Sequence, residues 1–287
     1  MSDQHRVSVI IVTHNSLPAL DDALGSLKKG LEKISGWQVI IVDNASSDEW
    51  QSCVRRHFPQ AETIANRKNR GFAAACNLGA KIAGGEFLLF HNPDVQIDGD
   101  CIANLMATFE ESPRAGAVVG RMRFEDGRFQ ATCRNFPTIR NLLFSRGSVL
   151  SFLWRDTSEY TLGDYSELTE VPVVSGTLMM IRRDVFFSQA GFDERFFMYM
   201  EDTDLCLRLR QAGLRNYFVP SAGGIHLWGR GSQKGKTARQ YYHHVSVWKF
   251  FVKHFPNGVS LLILPVILAV NLVLTWLLPP PSARSRG

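Results

Sequence analysis

Val7-Ser8-Val9-Ile10-Ile11-Val12-Thr13-His14-Asn15-Ser16 decides the reading of the fold. Its first six residues form a continuous apolar, mostly β-branched run with no polar alternation. That pattern suits a strand buried on both faces, as in a parallel sheet covered by helices. The run stops at a polar cluster. Leu17, Leu20, Leu24 and Leu27 then recur at helical spacing, with Pro18 in the first turn. The unit repeats at Val39-Ile40-Ile41-Val42, ended by Asp43-Asn44-Ala45-Ser46-Ser47-Asp48 and followed by a polar helix to His57, with Pro59 as punctuation. Ala61 to Ala65 reads as a third short strand, and Asn69-Arg70-Gly71 opens an Ala-rich helix through Ala83. Glu86-Phe87-Leu88-Leu89-Phe90 is a fourth strand, ended by His91-Asn92-Pro93-Asp94. Strand followed by helix, four times over, predicts an α/β fold: a Rossmann-like, mostly parallel sheet with helices on both faces.

Polar residues collect after these strands: Thr13 and Asn15, Asp43, Asn69, Asp94. Ligands of open α/β sheets bind at the carboxyl ends of strands, so these residues are expected to share one crevice. Singly, each is also an ordinary turn residue. No GxGxxG follows the first strand and no GxxxxGK[ST] occurs, which disfavours a dinucleotide or P-loop site.

The stretch from Gly191 to Asp204 packs five carboxylates into fourteen residues and interleaves them with Phe192, Phe196, Phe197 and Tyr199. A solvated acidic face would not carry so much aromatic surface, and unpaired buried charges are costly. Carboxylates beside apolar rings suit a site that holds a base in partial dryness. Asp202 stands where an N-cap is expected and Gly213 where a helix stop is expected. Read locally, Asp202 could equally be a cap and nothing more, with Asp204 paired to Arg208 at i,i+4.

From Ala115 the alternation changes. Ala117-Val118-Val119-Gly120 is a strand and Asp126-Gly127 a hairpin-type turn. Thr138 to Trp154 carries an amphipathic apolar pattern, and Asp156 to Glu170 is polar. Val171 to Ile181 and Asn216 to Pro220 return to strand character.

With 287 residues, 45% hydrophobic and 21% charged, the composition is that of a globular protein. A net charge of +5, without a basic run interleaved with aromatics, points to acidic ligands or a membrane surface and away from nucleic acid. Five scattered cysteines without a CxxC pair suggest reduced thiols, and no signal peptide is apparent. Val259 to Leu278 is twenty residues without a charge, long enough to just cross a bilayer core of roughly 30 Å or to lie in its interface. More basic residues precede this segment than follow it, which would place the main domain in the cytoplasm if it spans. The expected organisation is a main domain over 1–230, a helical region over 231–258, a hydrophobic membrane-associating segment over 259–278 and a tail over 279–287.

Taken together, Val9 to Asn15, Val42 to Asp48, Asn69 to Asn77, Asn92-Pro93-Asp94, Asp126-Gly127-Arg128 and the acidic stretch resemble glycosyltransferase family 2, with its inverting chemistry and GT-A fold. The Asn-Pro-Asp and Phe-Phe-Met-Tyr-Met-Glu-Asp-Thr-Asp wording is most similar to bacterial rhamnosyltransferases that use dTDP-L-rhamnose. The resemblance implies that Thr13, Asn15, Asp43, Asn69, Gly71 and Asn77 bind the nucleotide sugar. It implies Asp94 and His226 as ligands of a divalent cation, Mg²⁺ or Mn²⁺, and Asp202 as the general base. Asn92 departs from the family's Asp-x-Asp metal motif, a neutral amide standing where the first aspartate is usual; an amide is a weaker ligand for a hard cation. The implied acceptor is a lipid-linked or polysaccharide hydroxyl, and the implied location is the cytoplasmic face of the cell membrane. The same family also accommodates UDP-galactofuranose, UDP-N-acetylglucosamine or GDP-mannose as donor, and a non-catalytic nucleotide-sugar-binding protein is the reading from another class.

Overall fold

The computed structural model describes residues 5–138, 160–227, 229, 235–256, 258 and 260–277. The apolar pattern over 138–154 and the polar stretch after it lie, but for Thr138 and the residues from Tyr160 onward, outside them, as does the tail 279–287. Strands β1 (Val7–Thr13), β2 (Trp37–Asp43), β3 (Glu62–Ala65) and β4 (Phe87–His91) pair in parallel in the order β3-β2-β1-β4. Helices α1 (Leu17–Leu31), α2 (Trp50–His57) and α3 (Phe72–Ile82) connect them.

The sheet continues past β4. After β5 (Val95–Ile97), α4 (Cys101–Glu111) and β6 (Ala115–Arg123), the chain forms the short strands β7 (Phe129–Gln130), β8 (Cys133–Arg134), β9 (Thr169–Val171) and β10 (Val173–Val174). Strand β11 (Leu178–Arg182) then inserts antiparallel between β4 and β6. After α5 (Arg183–Ser188) and α6 (Glu201–Gln211), β12 (Arg215–His226) runs parallel to β6 and antiparallel to β5. The Asp126-Gly127 turn joins β6 to β7 as expected, with Gly127 at φ +81°.

Successive residues of β1 point to opposite faces, and both faces are buried, which is why that segment shows no polar alternation. Val9 and Ile11 pack with Leu20, Leu24 and Leu27 of α1 and Leu105 and Phe109 of α4. Ile10 and Val12 pack with Ala73 and Cys76 of α3, Phe186 of α5 and Leu205 and Leu209 of α6. All five cysteines are buried and free.

Two further helices close the chain, α7 (Lys236–His254) and α8 (Ser260–Leu277). Phe196 and Met200 pack with Val247, Phe250 and Phe251 of α7 and Leu264 of α8. At 18 residues, α8 is about 27 Å long. Among the described residues no helix is long and apolar enough to cross a membrane. One face of α8 is instead spent on the protein, where Leu264 is fully buried.

Candidate active site

A cavity of about 430 Å³ opens at the carboxyl ends of β1 and β4 and is closed on the far side by α6 and α7. Thr13, Asn69, Gly71, Asp94, Asp202 and His226 all line it. The buried Thr13 Oγ1 and His14 Nδ1 have no hydrogen-bond partner among the described residues. Buried polar atoms are normally satisfied, so these two suit a ligand.

Asp43 is buried beside Thr13, its register partner across β1 and β2, and both its oxygens accept the Ser46 N–H at 3.1 Å. Asn15 stands in the left-handed region at φ 54°, where Asn is tolerated. Its Oδ1 accepts the N–H of Ser47 at 2.7 Å, tying the loops after β1 and β2 together rather than facing the cavity. Asn77 does not line the cavity: its Nδ2 donates to the Phe192 carbonyl at 2.8 Å and its Oδ1 accepts the Phe192 N–H at 3.0 Å, fastening α3 to the segment before α6.

Gly71 explains the start of α3. Its φ is +87° with ψ 169°, a region essentially reserved for glycine. A Cβ there would stand 2.4 Å from the Phe197 carbonyl oxygen. The Phe72 N–H donates to that same oxygen at 2.8 Å, so the 191–200 segment docks on the N-terminus of α3.

Asp94 and His226 meet because β12 ends antiparallel against β5, pairing His226 with Val95. Their Oδ1 and Nε2 atoms are 3.3 Å apart, and both side chains are buried. A carboxylate and an imidazole converging on a cavity fit a divalent cation. With six or so ligand positions to fill, such an ion would keep places for phosphate oxygens and water. Asn92 also lines the cavity. The described cluster of three possible metal donors, Asp21, Cys53 and His57, is elsewhere, on α1 and α2, and Arg56 already occupies its carboxylate.

The acidic stretch divides in two. Asp193 and Asp204 face α7: Asp193 bonds Lys253 and Arg195, while the fully buried Asp204 bonds Arg208, Lys253 and His254 at 2.5–2.8 Å. Glu201 and Asp202 face the cavity. Asp202 is not the N-cap. Tyr199 and Met200 both adopt positive φ, 69° and 68°, so the helix begins at Glu201 with Met200 as cap and Asp202 sits inside the first turn. Gly213 does stop α6, at φ +79°, with the Leu214 N–H returning to the Leu209 carbonyl.

Asp202 is held from three sides. Its Oδ1 accepts Arg134 Nη2 at 2.5 Å and the Thr203 N–H at 2.6 Å, and its Oδ2 accepts the Gly176 N–H at 3.1 Å. Oδ2 keeps a lone pair for one more donor, which is what a base presented to an incoming hydroxyl needs. Burial, and then the charge of Asp202, push the neighbouring Glu201 carboxyl up to about 8. Its Oε2 is buried with no hydrogen-bond partner among the described residues. From α7, Arg239 and His243 line the cavity, and Tyr242 stacks on Phe197 at 4.6 Å. Burial, with His244 and Arg134 nearby, pushes the His243 imidazole down to about 4.

Sequence reasoning missed Arg134, Glu201 and His243 as cavity residues. Glu201 adjoins Asp202 in the acidic stretch and could have been weighed with it. Arg134 and His243 carry no local signal, because their placement depends on chain packing from afar.

The model of the family described as "Glycosyl transferase family 2" matches residues 8–187. The chain belongs to that family and is a glycosyltransferase. It is 31% identical over 258 residues to the N-acetylglucosaminyl-diphospho-decaprenol L-rhamnosyltransferase of Mycobacterium tuberculosis, covering 84% of this chain and 82% of that one. It is 27% identical over 230 residues to rhamnosyltransferase WbbL of Escherichia coli, covering 77% and 83%. Among solved structures, it is similar to the mannosyltransferase PcManGT of Pyrobaculum calidifontis in complex with GDP-Man and Mn²⁺. The TM-score is 0.61 at 18% identity, over 97% of this chain and 78% of that one, a likeness in fold.

Proposed function

We propose that the protein transfers L-rhamnose from dTDP-L-rhamnose to a hydroxyl of a lipid-linked glycan, with inversion, at the cytoplasmic face of the cell membrane. The observation that carries this reading is the single cavity onto which Asp202 and the Asp94–His226 pair both open. Two relatives named as rhamnosyltransferases support the choice of sugar.

Thr13, at the end of β1, and Asn69, in the loop before α3, bind the nucleotide, with Asp43 behind Thr13. Asp94 and His226 would hold a divalent cation, which when bound supplies charge neutralisation at the departing diphosphate. Asp202 accepts the proton of the acceptor hydroxyl through Oδ2 as that oxygen attacks the anomeric carbon from the side opposite the leaving group. Arg134 keeps Asp202 oriented. Glu201, held neutral by burial, offers a hydrogen bond without competing for the proton.

The exposed apolar side chains of α8, Leu262, Val266, Val270 and Val273, support attachment to the membrane interface. A doubly substituted protein, Val266→Lys with Val270→Lys, is expected to sediment when mixed with buoyant vesicles, whereas the wild type floats with them. Flotation of both would move the attachment elsewhere.

The reading is tested by thermal stabilisation across a panel of nucleotide sugars, with and without Mg²⁺ or Mn²⁺, followed by turnover. A donor at about 100 times its Kd adds roughly 2.7 kcal/mol. The expected result is a shift with dTDP-L-rhamnose and rhamnosylation of a sugar-diphosphate-lipid acceptor. A larger shift with UDP-galactofuranose, UDP-N-acetylglucosamine or GDP-mannose would keep the family and replace the sugar.

A further inference from the structure

Among the described residues two guanidinium groups line the cavity, and they differ in what holds them. Arg134 is committed to Asp202 and to the Thr203 hydroxyl, at 2.5 and 2.8 Å. The side chain of Arg239, half-buried on the first half of α7, makes no hydrogen bond or ion pair with a described residue. Neither His243 nor Tyr199, which line the same cavity, offers it an anion. His243 is neutral, and burial pushes the Tyr199 phenol further above its ordinary value. A guanidinium without a partner among the described residues, on the wall of a cavity, suits a phosphate-bearing ligand.

Helix α8 supplies the second observation. Leu264 packs on Phe250 and Phe251, near the end of α7, while Asn271 meets His244 Nε2 at 3.0 Å. The two helices therefore run antiparallel, and the later turns of α8 come alongside the stretch of α7 that carries Arg239 and His243. Leu262, Val266, Val270 and Val273 follow one another at helical spacing and are 49–79% exposed. This apolar stripe thus leads toward the cavity end of α7. A cation without a partner among the described residues, with an apolar track leading toward it, suits a diphosphate that carries a long hydrocarbon chain.

We propose that Arg239 binds the diphosphate joining the acceptor glycan to its lipid, and that the exposed stripe of α8 carries the adjoining isoprene units. This assignment rests on the reading of a lipid-linked acceptor. In that reading a divalent cation held by Asp94 and His226 would supply the counter-charge of the donor's diphosphate, so a second diphosphate calls for a second cation.

The test is titration calorimetry of the full chain with farnesyl diphosphate, farnesol and inorganic pyrophosphate, in the absence of donor. The wild type is expected to bind farnesyl diphosphate at least about tenfold more tightly than either fragment, the step expected of one charge-assisted contact. Arg239→Gln should bring farnesyl diphosphate down to the level of farnesol while leaving dTDP-L-rhamnose affinity unchanged, and Arg239→Lys should recover part of the difference. Arg239 has no described internal partner to lose, and an unchanged thermal melt of both variants checks that they fold. Equal binding of farnesyl diphosphate by wild type and Arg239→Gln would overturn the proposal. So would a loss of donor affinity in Arg239→Gln, which would assign the cation to the donor's diphosphate. Farnesyl diphosphate carries no sugar, so these outcomes do not depend on which sugar is transferred. Failure of dTDP-L-rhamnose turnover would count against the proposed function and leave this measurement standing.

Discussion

On the sheet wall of the cavity, Thr13, Asn69, Gly71 and Asp94 each stand within a few residues of the end of a strand or the start of a helix. On the helix wall, Asp202 is held by Arg134 from 68 residues away, and Glu201, His243 and Arg239 come from two helices that reach the cavity only through tertiary packing. The first wall is made by local rules: a buried strand must end, and its polar terminus faces the crevice. The second is assembled by ion pairs and close backbone contacts between distant segments, so it is the wall that single substitutions should damage most.

The sharpest break should come from Arg134→Met. It strands the buried Asp202 carboxylate without its cation and is expected to cost about 3–5 kcal/mol of stability. Urea denaturation at neutral pH measures this, and a loss below about 1 kcal/mol would mean that the pair is solvated and the helix wall less dependent on it than argued.

Gly71→Ala comes next, because it strikes the contact that joins the two walls. A side chain at φ +87° is strained, and its Cβ would meet the Phe197 backbone, so a cost of about 1–3 kcal/mol is expected. Turnover should fall with stability, since the Phe197 loop leads into Asp202. Stability equal to wild type would show that the loop yields freely.

The smallest effect is a pH dependence. Glu201 is raised from 4.5 to about 8 in the folded protein by burial, and then by Asp202. Between those values the folded state holds a proton that the unfolded state has lost. Its contribution to stability is therefore fully present below about 4.5 and declines as pH rises toward 8. Glu201→Gln imitates the neutral acid and should flatten that decline in denaturation midpoints measured across the range. An unaltered slope would show that Glu201 is ionised in the fold.

Much of the sheet wall was legible in the sequence. The unbroken runs at Val7–Val12 and Val39–Val42 announced strands buried on both faces, and their polar ends announced the crevice. Legibility failed where one residue type serves two purposes. Asn77 lies within a segment matching the family yet spends its amide on the Phe192 backbone. Asp202 read as a helix cap, but consecutive positive φ angles at Tyr199 and Met200 start the helix earlier, and nothing in those two side chains announces that turn. Asp193 and Asp204 belong to the same acidic stretch as Asp202, and the spacing gave the Asp204–Arg208 pair, but not Lys253 and His254 of α7, which also hold them. Those α7 partners lie about fifty to sixty residues away in the chain, beyond what periodicity or spacing can register.

The central claim is that Asp202 serves the acceptor on the helix wall and has no part in holding the donor on the sheet wall. The most direct measurement pairs donor affinity with single-turnover rate in Asp202→Asn. The account predicts unchanged affinity for dTDP-L-rhamnose and a rate lower by roughly 10²-fold or more, the range of general-base catalysis. A near-normal rate would remove Asp202 from the base role, and a matching loss of donor affinity would place it on the wrong wall.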